Sequence, residues 1–337
     1  MYSKLLQIIN EFKILDGNSF SFKNEKYEFM TSSNYLDTTQ IVSYGAPNIL
    51  EIRDYLYNIY HCRKNNVFES PTTNQLGIED QEFVASLSEA NKGHGSSDLG
   101  WIVSKINNEN QIVVQKDGLS LWAHPEEFQS YEKKLEVGVE GYLGLPKEMR
   151  RMSPGFYVAI SNVPVGYSEI PIRIYWNIQY SGASLLVENI TTELNKKGIP
   201  FQFKVLNNPN QFSRSDAAVL YLDKKDVQNI TSELSTIYQR VKKYLNPQTS
   251  LFTKKLTDGV TLAEELISVT GESFGQQRSH LLAFSLCEIY RNSLTNSEDQ
   301  IAEMITQFQK AGVDISKPYL NNSLKDDYER FFDGVFD

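Results

Sequence analysis

The chain has 337 residues, of which 40% are hydrophobic and 22% are charged. At about 150 residues per domain this length predicts about two domains, and the hydrophobic content argues against a disordered chain. Lys and Arg number 33 against 42 Asp and Glu, so the formal net charge is −9 at pH 7. A general nucleic-acid binder needs clustered cations to neutralise phosphate. The charge therefore disfavours that class.

Metal, disulfide and nucleotide signals are absent from the sequence. The two cysteines, Cys62 and Cys287, form no CxxC pair, and the four histidines have no metal-ligand spacing. Neither a P-loop nor a strand-linked GxGxxG occurs, so we expect no metal and no cofactor. The first residues are too few and too polar for a signal peptide or a membrane span. We therefore expect a cytoplasmic protein that does not contact membranes.

The first half of the chain predicts helices followed by a small β unit. Apolar residues recur at helical spacing over 3–15, 47–63 and 79–91. Period-2 segments with turn signals then predict a small antiparallel sheet or barrel over 100–145. Residues 146–155 form a connector in this interpretation.

The second half of the chain predicts an α+β arrangement, because strand and helix patterns are mixed there. We predict domains over 1–150 and 151–337. The first combines the N-terminal helices with the β subdomain, and the second is the α+β unit. The strands predicted in it cover 156–162, 170–179, 199–206 and 215–223. The helices cover 182–198, 224–246, 276–292 and 297–311, with a loop from 247 to about 273.

Polar side chains on two of these strands are candidates for chemistry. Arg173, Tyr175 and Asn177 share one face of a strand whose other face is apolar. Lys204 lies in a similar position on the next predicted strand. Each of these has a structural explanation, since an edge strand exposes its polar face and a strand lysine is commonly solvated.

Three further residues extend this set. Arg214 precedes an apolar strand that contains Tyr221, and Arg278 opens a helix after a glycine-containing loop. An arginine at a helix N-terminus opposes the helix dipole unless an anion compensates. Together, the cationic and phenolic residues predict one cleft that binds an anion.

The segments RIYWN, GIPFQFKVLNNPNQFSRSDAAVLYL, TDGVTLAEE and GESFGQQRSHLLA occur in this order. This set resembles the HopA-like domain family over about residues 80–290, most closely from 156. That family includes a type III-secreted effector and the lyase component of class V lanthipeptide and thioamitide biosynthesis. It is in turn similar to secreted bacterial phosphothreonine lyases. The resemblance implies that residues 151–337 form a phosphothreonine-lyase-like domain.

The resemblance also implies roles for the candidate residues. Lys204 matches the lysine that removes the α-proton. Tyr175 replaces the histidine that acts as general acid in the phosphothreonine lyases, which leaves the identity of the acid open. The residues implied to bind phosphate are Arg173, Arg214, Arg278 and Tyr221. Asn177 and His280 are candidate supporting residues, and His280 is an alternative acid.

The implied reaction is β-elimination of phosphate from phosphoserine or phosphothreonine, and it needs no cofactor. Lys204 must be uncharged to act as a base, a state that burial and neighbouring cations favour. The implied partners are a phosphorylated precursor peptide of a ribosomally synthesised natural product and a separate kinase resembling aminoglycoside phosphotransferases. The alternative is a non-catalytic, effector-like or phosphopeptide-binding protein. Residues 1–150 are candidates for binding the peptide or a partner.

Overall fold

The chain is described here from a computed structural model. It covers residues 1–29, 48–64, 67–68, 78–107, 111–131, 134–150, 152–166, 170–265, 272–321 and 325–337. Within these ranges the fold is α+β, as predicted, with three antiparallel sheets. No helix in the described ranges is both long and apolar enough to cross a membrane.

A helix and a three-stranded sheet form the N-terminus. Their bounds are α1 Tyr2–Glu11, β1 Phe12–Asp16, β2 Ser19–Phe22 and β3 Glu25–Glu28. The helix predicted over 3–15 is therefore too long, and the sheet was not predicted. Phe12 lies opposite Phe22 in the β1–β2 pair, and its ring stacks on that of Phe20 at 5.0 Å. These cross-strand aromatic contacts favour a strand from Phe12 onward.

The other two helices predicted in the first half are confirmed, with shorter bounds. They are α2 Ile49–Leu56, continued by a π-helical turn Tyr57–His61, and α3 Gln81–Ala90. Pro47, the predicted start of the second helix, lies outside the described residues. The π turn is closed by the amide of Cys62, which donates to the carbonyl oxygen of Tyr57 at 2.9 Å. Such wide turns are frequent at functional sites.

The predicted small β unit is a five-stranded antiparallel sheet. Its strands are β4 Ser96–Ile106, β5 Ile112–Lys116, β6 Leu119–Ala123, β7 Phe128–Ser130 and β8 Glu140–Leu145. They are ordered β6-β5-β4-β8-β7. The sheet has a hydrophobic cluster of its own, which includes Trp101, Val103 and Leu143.

The largest sheet has six strands in the order β13-β14-β10-β12-β11-β9. They are β9 Phe156–Ile160, β10 Pro171–Trp176, β11 Gln202–Leu206, β12 Ala218–Asp223, β13 Lys254–Thr257 and β14 Val260–Glu264. The β13–β14 hairpin lies where we predicted a loop. Every residue of β14 is buried, so this strand lacks the polar–apolar alternation that identifies a half-buried strand. Gly259, with φ +73°, forms the turn.

The remaining helices surround this sheet. They are α4 Tyr180–Lys196, α5 Lys224–Val227, α6 Thr231–Val241, α7 Phe274–Arg291, α8 Ser297–Lys310 and α9 Tyr328–Phe332. The single helix predicted over 224–246 is interrupted by the 3₁₀ turns Gln228–Ile230 and Lys242–Tyr244.

One hydrophobic core joins the N-terminal helices to the second half of the chain. Leu5 and Leu56 belong to the same buried cluster as Ile174, Phe274 and Phe308. The boundary predicted between 150 and 151 stays a prediction, but apolar packing is continuous across it. This packing brings the π-helical turn onto the large sheet, where the ring of His61 contacts the ring of Tyr175.

Candidate functional site

The strand register places the predicted reactive residues on one face of the large sheet. Lys204 on β11 and Tyr175 on β10 both pair with Val219 of the intervening β12. Arg173 pairs with Tyr221 of the same strand. Directly paired residues point to the same side of a sheet. Residues two positions apart on one strand also point to the same side. Arg173, Tyr175, Lys204 and Tyr221 are therefore neighbours on one face, which we call the cationic face.

Lys204 is held between two aromatic rings. Its Nζ lies 5.0 Å from the centroid of the Phe156 ring and 5.1 Å from that of Tyr221. Within the described ranges, no carboxylate pairs with this amine. Aromatic faces stabilise a cation modestly but do not accept its proton as a carboxylate would. The amine is therefore positioned without being tied to an acid.

Arg173 lies on the cationic face, across β12 from the strand of Lys204. Its guanidinium carbon is 4.9 Å from the Tyr221 ring centroid, and its side chain forms an ion pair with Glu265. Burial opposes the charge of Arg173, but the phenols of Tyr175 and Tyr221 raise its pKa above the ordinary value. Arg173 therefore remains a cation, and its side chain retains 11% exposure.

Arg214 is the second arginine at this face, and Asp216 fixes its orientation. Its Nε and Nη2 donate to the two carboxylate oxygens of Asp216 at 2.5 and 2.6 Å, and its guanidinium carbon is 5.7 Å from the Phe156 ring centroid. Burial opposes ionisation of Asp216, but the Arg214 charge and hydrogen bonds hold the pKa of Asp216 well below its usual range. The two-pronged contact leaves Nη1 without an acceptor in the described residues.

Tyr175 and His61 are buried together behind the arginines. Their rings meet edge to face, with centroids 5.5 Å apart and planes at 81°. His61 Nδ1 has no hydrogen-bond partner within the described ranges, whereas the Tyr175 hydroxyl interacts with the Arg173 guanidinium. Burial raises the pKa of Tyr175 although the Arg173 charge acts against this, and burial lowers the pKa of His61 to about 4. Both side chains are therefore neutral at pH 7.

His61 and its neighbours were not predicted from the sequence as part of the site. His61 Nε2 lies 3.9 Å from Asp216, and the Tyr57 hydroxyl lies 3.3 Å from the same carboxylate. Tyr57 and His61 come from the π-helical turn, and Asp216 lies more than 150 positions further along the chain. No spacing pattern signals such a contact. The only local signal is the sequence Arg-Ser-Asp, which places a carboxylate two residues after Arg214.

Arg278 is held by backbone oxygens, and its predicted role in phosphate binding stays a prediction. Its side chain is 1% exposed, and its Nε and Nη2 donate to the backbone oxygens of Pro318 and Leu320 at 2.8 and 3.2 Å. Burial lowers its pKa to about 10. This arginine therefore holds the C-terminal segment against α7, and that use explains a cation near the start of the helix.

The two predicted supporting residues also bind elsewhere. The Asn177 amide donates to the backbone oxygen of Gln248 at 2.9 Å and accepts from Asn246 at 3.2 Å, so it braces the segment after α6. His280 Nδ1 lies 3.3 Å from Glu272. Neither side chain contacts Lys204 or the arginines of the cationic face in the described part of the chain.

Two solved structures are similar to this chain. The chain has 17% identity to the effector protein from Pseudomonas syringae pv. tomato strain DC3000, with a TM-score of 0.47, and 82% of this chain and 91% of that chain are covered. The effector protein from Pseudomonas syringae pv. syringae strain 61 gives 16% identity and a TM-score of 0.46, with 81% of this chain and 96% of that chain covered. No curated protein matches.

The family model of the HopA1 effector proteins matches residues 148–320, which is just over half of the chain. The matched region contains the whole large sheet, and with it Lys204, Tyr175 and both arginines of the cationic face. Tyr57 and His61 precede it. The chain therefore belongs to the HopA1 effector protein family.

Proposed function

We propose that the protein is a phosphoserine or phosphothreonine lyase. It eliminates phosphate from a phosphorylated peptide and leaves dehydroalanine or dehydrobutyrine. The observation that carries the proposal is the position of Lys204, an amine without a carboxylate partner in the described residues, on the same sheet face as Tyr175 and Arg173 with only β12 between their strands. A base, a proton donor and a cation on one face are the groups that this elimination needs.

Arg173 and Arg214 bind the phosphate in this proposal. A guanidinium group offers paired N–H donors that match phosphate oxygens. Asp216 holds one edge of Arg214, so that its Nη1 side is available to a ligand. The Tyr221 ring supports both Arg173 and Lys204 and fixes the distance between the base and the phosphate. We leave Arg278 out of this phosphate site, because its Nε and Nη2 donate to backbone carbonyls.

The reaction begins when neutral Lys204 removes the proton on the α-carbon of the phosphorylated residue. The electron pair of that C–H bond forms the new double bond, and the bond between the β-carbon and the phosphate oxygen breaks. Tyr175 donates its hydroxyl proton to that oxygen, so hydrogen phosphate leaves. The arginines stabilise the negative charge that develops on the phosphate.

We assign the substrate to the class of ribosomal precursor peptides that a separate kinase phosphorylates. This assignment rests on the resemblance of the chain to the lyase components of lanthipeptide biosynthesis. The N-terminal 150 residues then bind the unmodified part of the peptide or the kinase. Because the kinase supplies the phosphate, the lyase itself uses no nucleotide.

The alternative is a phosphopeptide-binding protein without activity. The ion pairs that Arg173 and Arg214 form with Glu265 and Asp216 are compatible with it, since binding needs the arginines alone. The same alternative gives no reason for an unpaired lysine between two aromatic rings. Lys204 therefore favours the enzyme.

Mass spectrometry of a synthetic phosphothreonine peptide incubated with the protein separates these functions. A lyase removes phosphoric acid and leaves dehydrobutyrine, a phosphatase leaves threonine, and a binding protein leaves the peptide unchanged. Lys204→Ala is expected to abolish elimination but to retain binding. Lys255→Ala is the matched control, because Lys255 lies on the same sheet at an exposed edge strand and pairs with Asp258. Retained turnover in Lys204→Ala would exclude Lys204 as the base.

A further inference from the structure

The π-helical turn is joined to the Arg214–Asp216 segment through Ser215. The Ser215 hydroxyl donates to the backbone oxygen of His61 at 2.6 Å, and the Ser215 amide donates to the backbone oxygen of Cys62 at 2.7 Å. Carbonyl groups at the end of a helix have no partner within it, so Ser215 satisfies two of them. The residue that closes the turn therefore lies between the two members of the ion pair.

The hydroxyl of Tyr57, in the same turn, bridges the two members of this ion pair. It accepts a hydrogen bond from Nη2 of Arg214 at 3.3 Å and donates one to Oδ2 of Asp216 at 3.3 Å. Burial raises the pKa of Tyr57 well above its ordinary value, so the hydroxyl keeps the proton that it donates. The imidazole of His61 stacks on the Tyr57 ring, with centroids 5.1 Å apart, and holds that ring in place.

These contacts use three of the five N–H donors of the Arg214 guanidinium. Nε donates to Oδ1 of Asp216, and Nη2 donates to Oδ2 of Asp216 and to the Tyr57 hydroxyl. The donors of Nη1 have no acceptor in the described part of the chain. Because a guanidinium group is planar and rigid, fixing Nε and Nη2 also fixes the direction of Nη1. An anion therefore meets Arg214 through Nη1.

We propose that Tyr57 is a positioning residue of the phosphate site, because its hydroxyl holds Arg214 in the orientation that presents Nη1 to the substrate. This inference rests on the proposed function, in which Arg214 binds the phosphate. It makes the π-helical turn a part of the phosphate site, although the turn precedes the family match at residues 148–320. Tyr57 acts through Arg214 and is therefore not a catalytic residue.

The Tyr57 hydroxyl adds to what Asp216 achieves alone. A carboxylate can bind a guanidinium group through Nε and Nη2, as it does here, or through the two Nη atoms, which would take Nη1 away from a ligand. In the observed arrangement one N–H of Nη2 remains, and Tyr57 accepts it. Without the hydroxyl, this donor is left unpaired and the observed orientation is less favoured. A side chain that is already ordered also loses less entropy on binding.

Isothermal titration calorimetry measures this positioning as phosphopeptide affinity. The parent protein is the full chain with Lys204→Ala, which prevents turnover, and the ligand is a short capped peptide with one phosphothreonine. Adding Tyr57→Phe should raise Kd about tenfold, the effect of losing one hydrogen bond to a charged group. The loss should be confined to the phosphorylated peptide. An unchanged Kd, or an equal loss for the unphosphorylated peptide, would overturn the proposal.

Tyr60→Phe is the matched control. Tyr60 lies in the same π-helical turn, and its hydroxyl also donates to a carboxylate, that of Glu11, at 2.9 Å. Both substitutions remove one such bond, but of the two only the Tyr57 hydroxyl bonds to Arg214, so Tyr60→Phe should leave Kd unchanged. Equal weakening by both would assign the effect to packing of the turn and overturn positioning by Tyr57. A thermal melt of each variant shows that the measured chain is folded.

A double-mutant cycle shows whether Tyr57 acts through Arg214. Arg214→Lys keeps a cation beside Asp216, so the buried carboxylate stays paired, but a lysine has no planar fork to orient. In this background Tyr57→Phe should change Kd by less than about twofold. A full tenfold loss in both backgrounds would mean that the hydroxyl acts independently of Arg214, and would overturn the proposal.

Steady-state kinetics of the otherwise native chain separate this inference from the proposed lyase. Tyr57→Phe should raise KM about tenfold with little change in kcat, because it affects phosphate binding rather than proton transfer. A loss in kcat alone would overturn the positioning role and leave the lyase intact. The binding loss in Tyr57→Phe, without elimination by the native protein, would support the positioning of Arg214 and overturn the lyase. Absence of phosphopeptide binding overturns both.

Discussion

Gly275 on α7 leaves the space that His61 occupies, because a Cβ atom at this glycine would lie 2.6 Å from the imidazole. The backbone of α7 thus lies closer to the His61 ring than it could if any residue other than glycine occupied position 275. Gly275 is the second residue of α7, and its lack of a side chain leaves room for the histidine.

Gly275→Ala is therefore expected to displace His61 and to lower the elimination rate at least tenfold. Overpacking of a buried site costs about 1–3 kcal/mol, so the free energy of unfolding should fall by a similar amount. Gly166→Ala is the control, because a Cβ atom there meets no neighbour. Urea unfolding and single-turnover rates measure the two effects. A stable, fully active Gly275→Ala variant would contradict the importance of the close approach.

Tyr175→Phe tests the proton donor. We expect kcat to fall about a hundredfold while KM changes little, since a general acid contributes mainly to the chemical step. The variant should stay folded, because the Tyr175 ring keeps its packing against His61 and only the interaction of the hydroxyl with Arg173 is lost. Tyr180→Phe, at a tyrosine that is 56% exposed, is the control. An unchanged rate in Tyr175→Phe would place the acid elsewhere.

The alternation along β10 made this face predictable from sequence. Ile172, Ile174 and Trp176 are buried on one side of the strand, and Arg173 and Tyr175 occupy the other, as the period of two requires. The pairing of β10 and β11 with β12 then fixes how these residues meet. Because the antiparallel register is regular, the alternation along each strand determines which side chains share a face. This part of the site could therefore be predicted from the sequence.

Other parts of the site depend on contacts between distant segments. Ser215 donates its hydroxyl to the backbone oxygen of His61 at 2.6 Å across 154 positions, and no local pattern encodes that contact. Arg278 shows the same limit, because its position near the start of a helix suggested an anion. Its Nε instead donates to a carbonyl 40 residues further along the chain, a contact that no local pattern indicates.

Arg278→Met and Arg173→Met should give opposite results. The first leaves two backbone carbonyls without their donor, so we expect the free energy of unfolding to fall by about 2 kcal/mol with KM unchanged. The second removes a phosphate ligand, so KM for the phosphopeptide should rise at least tenfold. Chemical denaturation and steady-state kinetics on both variants check this. A raised KM in a stably folded Arg278→Met variant would restore the arginine to the phosphate site.

The buried histidine also predicts how stability depends on pH. Burial lowers the pKa of His61 from 6.5 to about 4, so between these values the unfolded chain binds a proton that the folded chain does not. Above pH 6.5 His61 does not reduce the free energy of unfolding, and as the pH drops toward 4 this free energy falls. The loss over this window is about 3 kcal/mol.

Urea denaturation at a series of pH values from 7 to 4 measures this loss. The difference in unfolding free energy between native protein and His61→Asn should shift by about 3 kcal/mol across the window, because the variant has no imidazole to protonate at this position. The exposed His94 gives the control variant His94→Asn, whose pH dependence should follow that of the native chain. Parallel curves for native protein and His61→Asn would mean that folding does not change the pKa of His61, and would contradict its burial as a neutral imidazole.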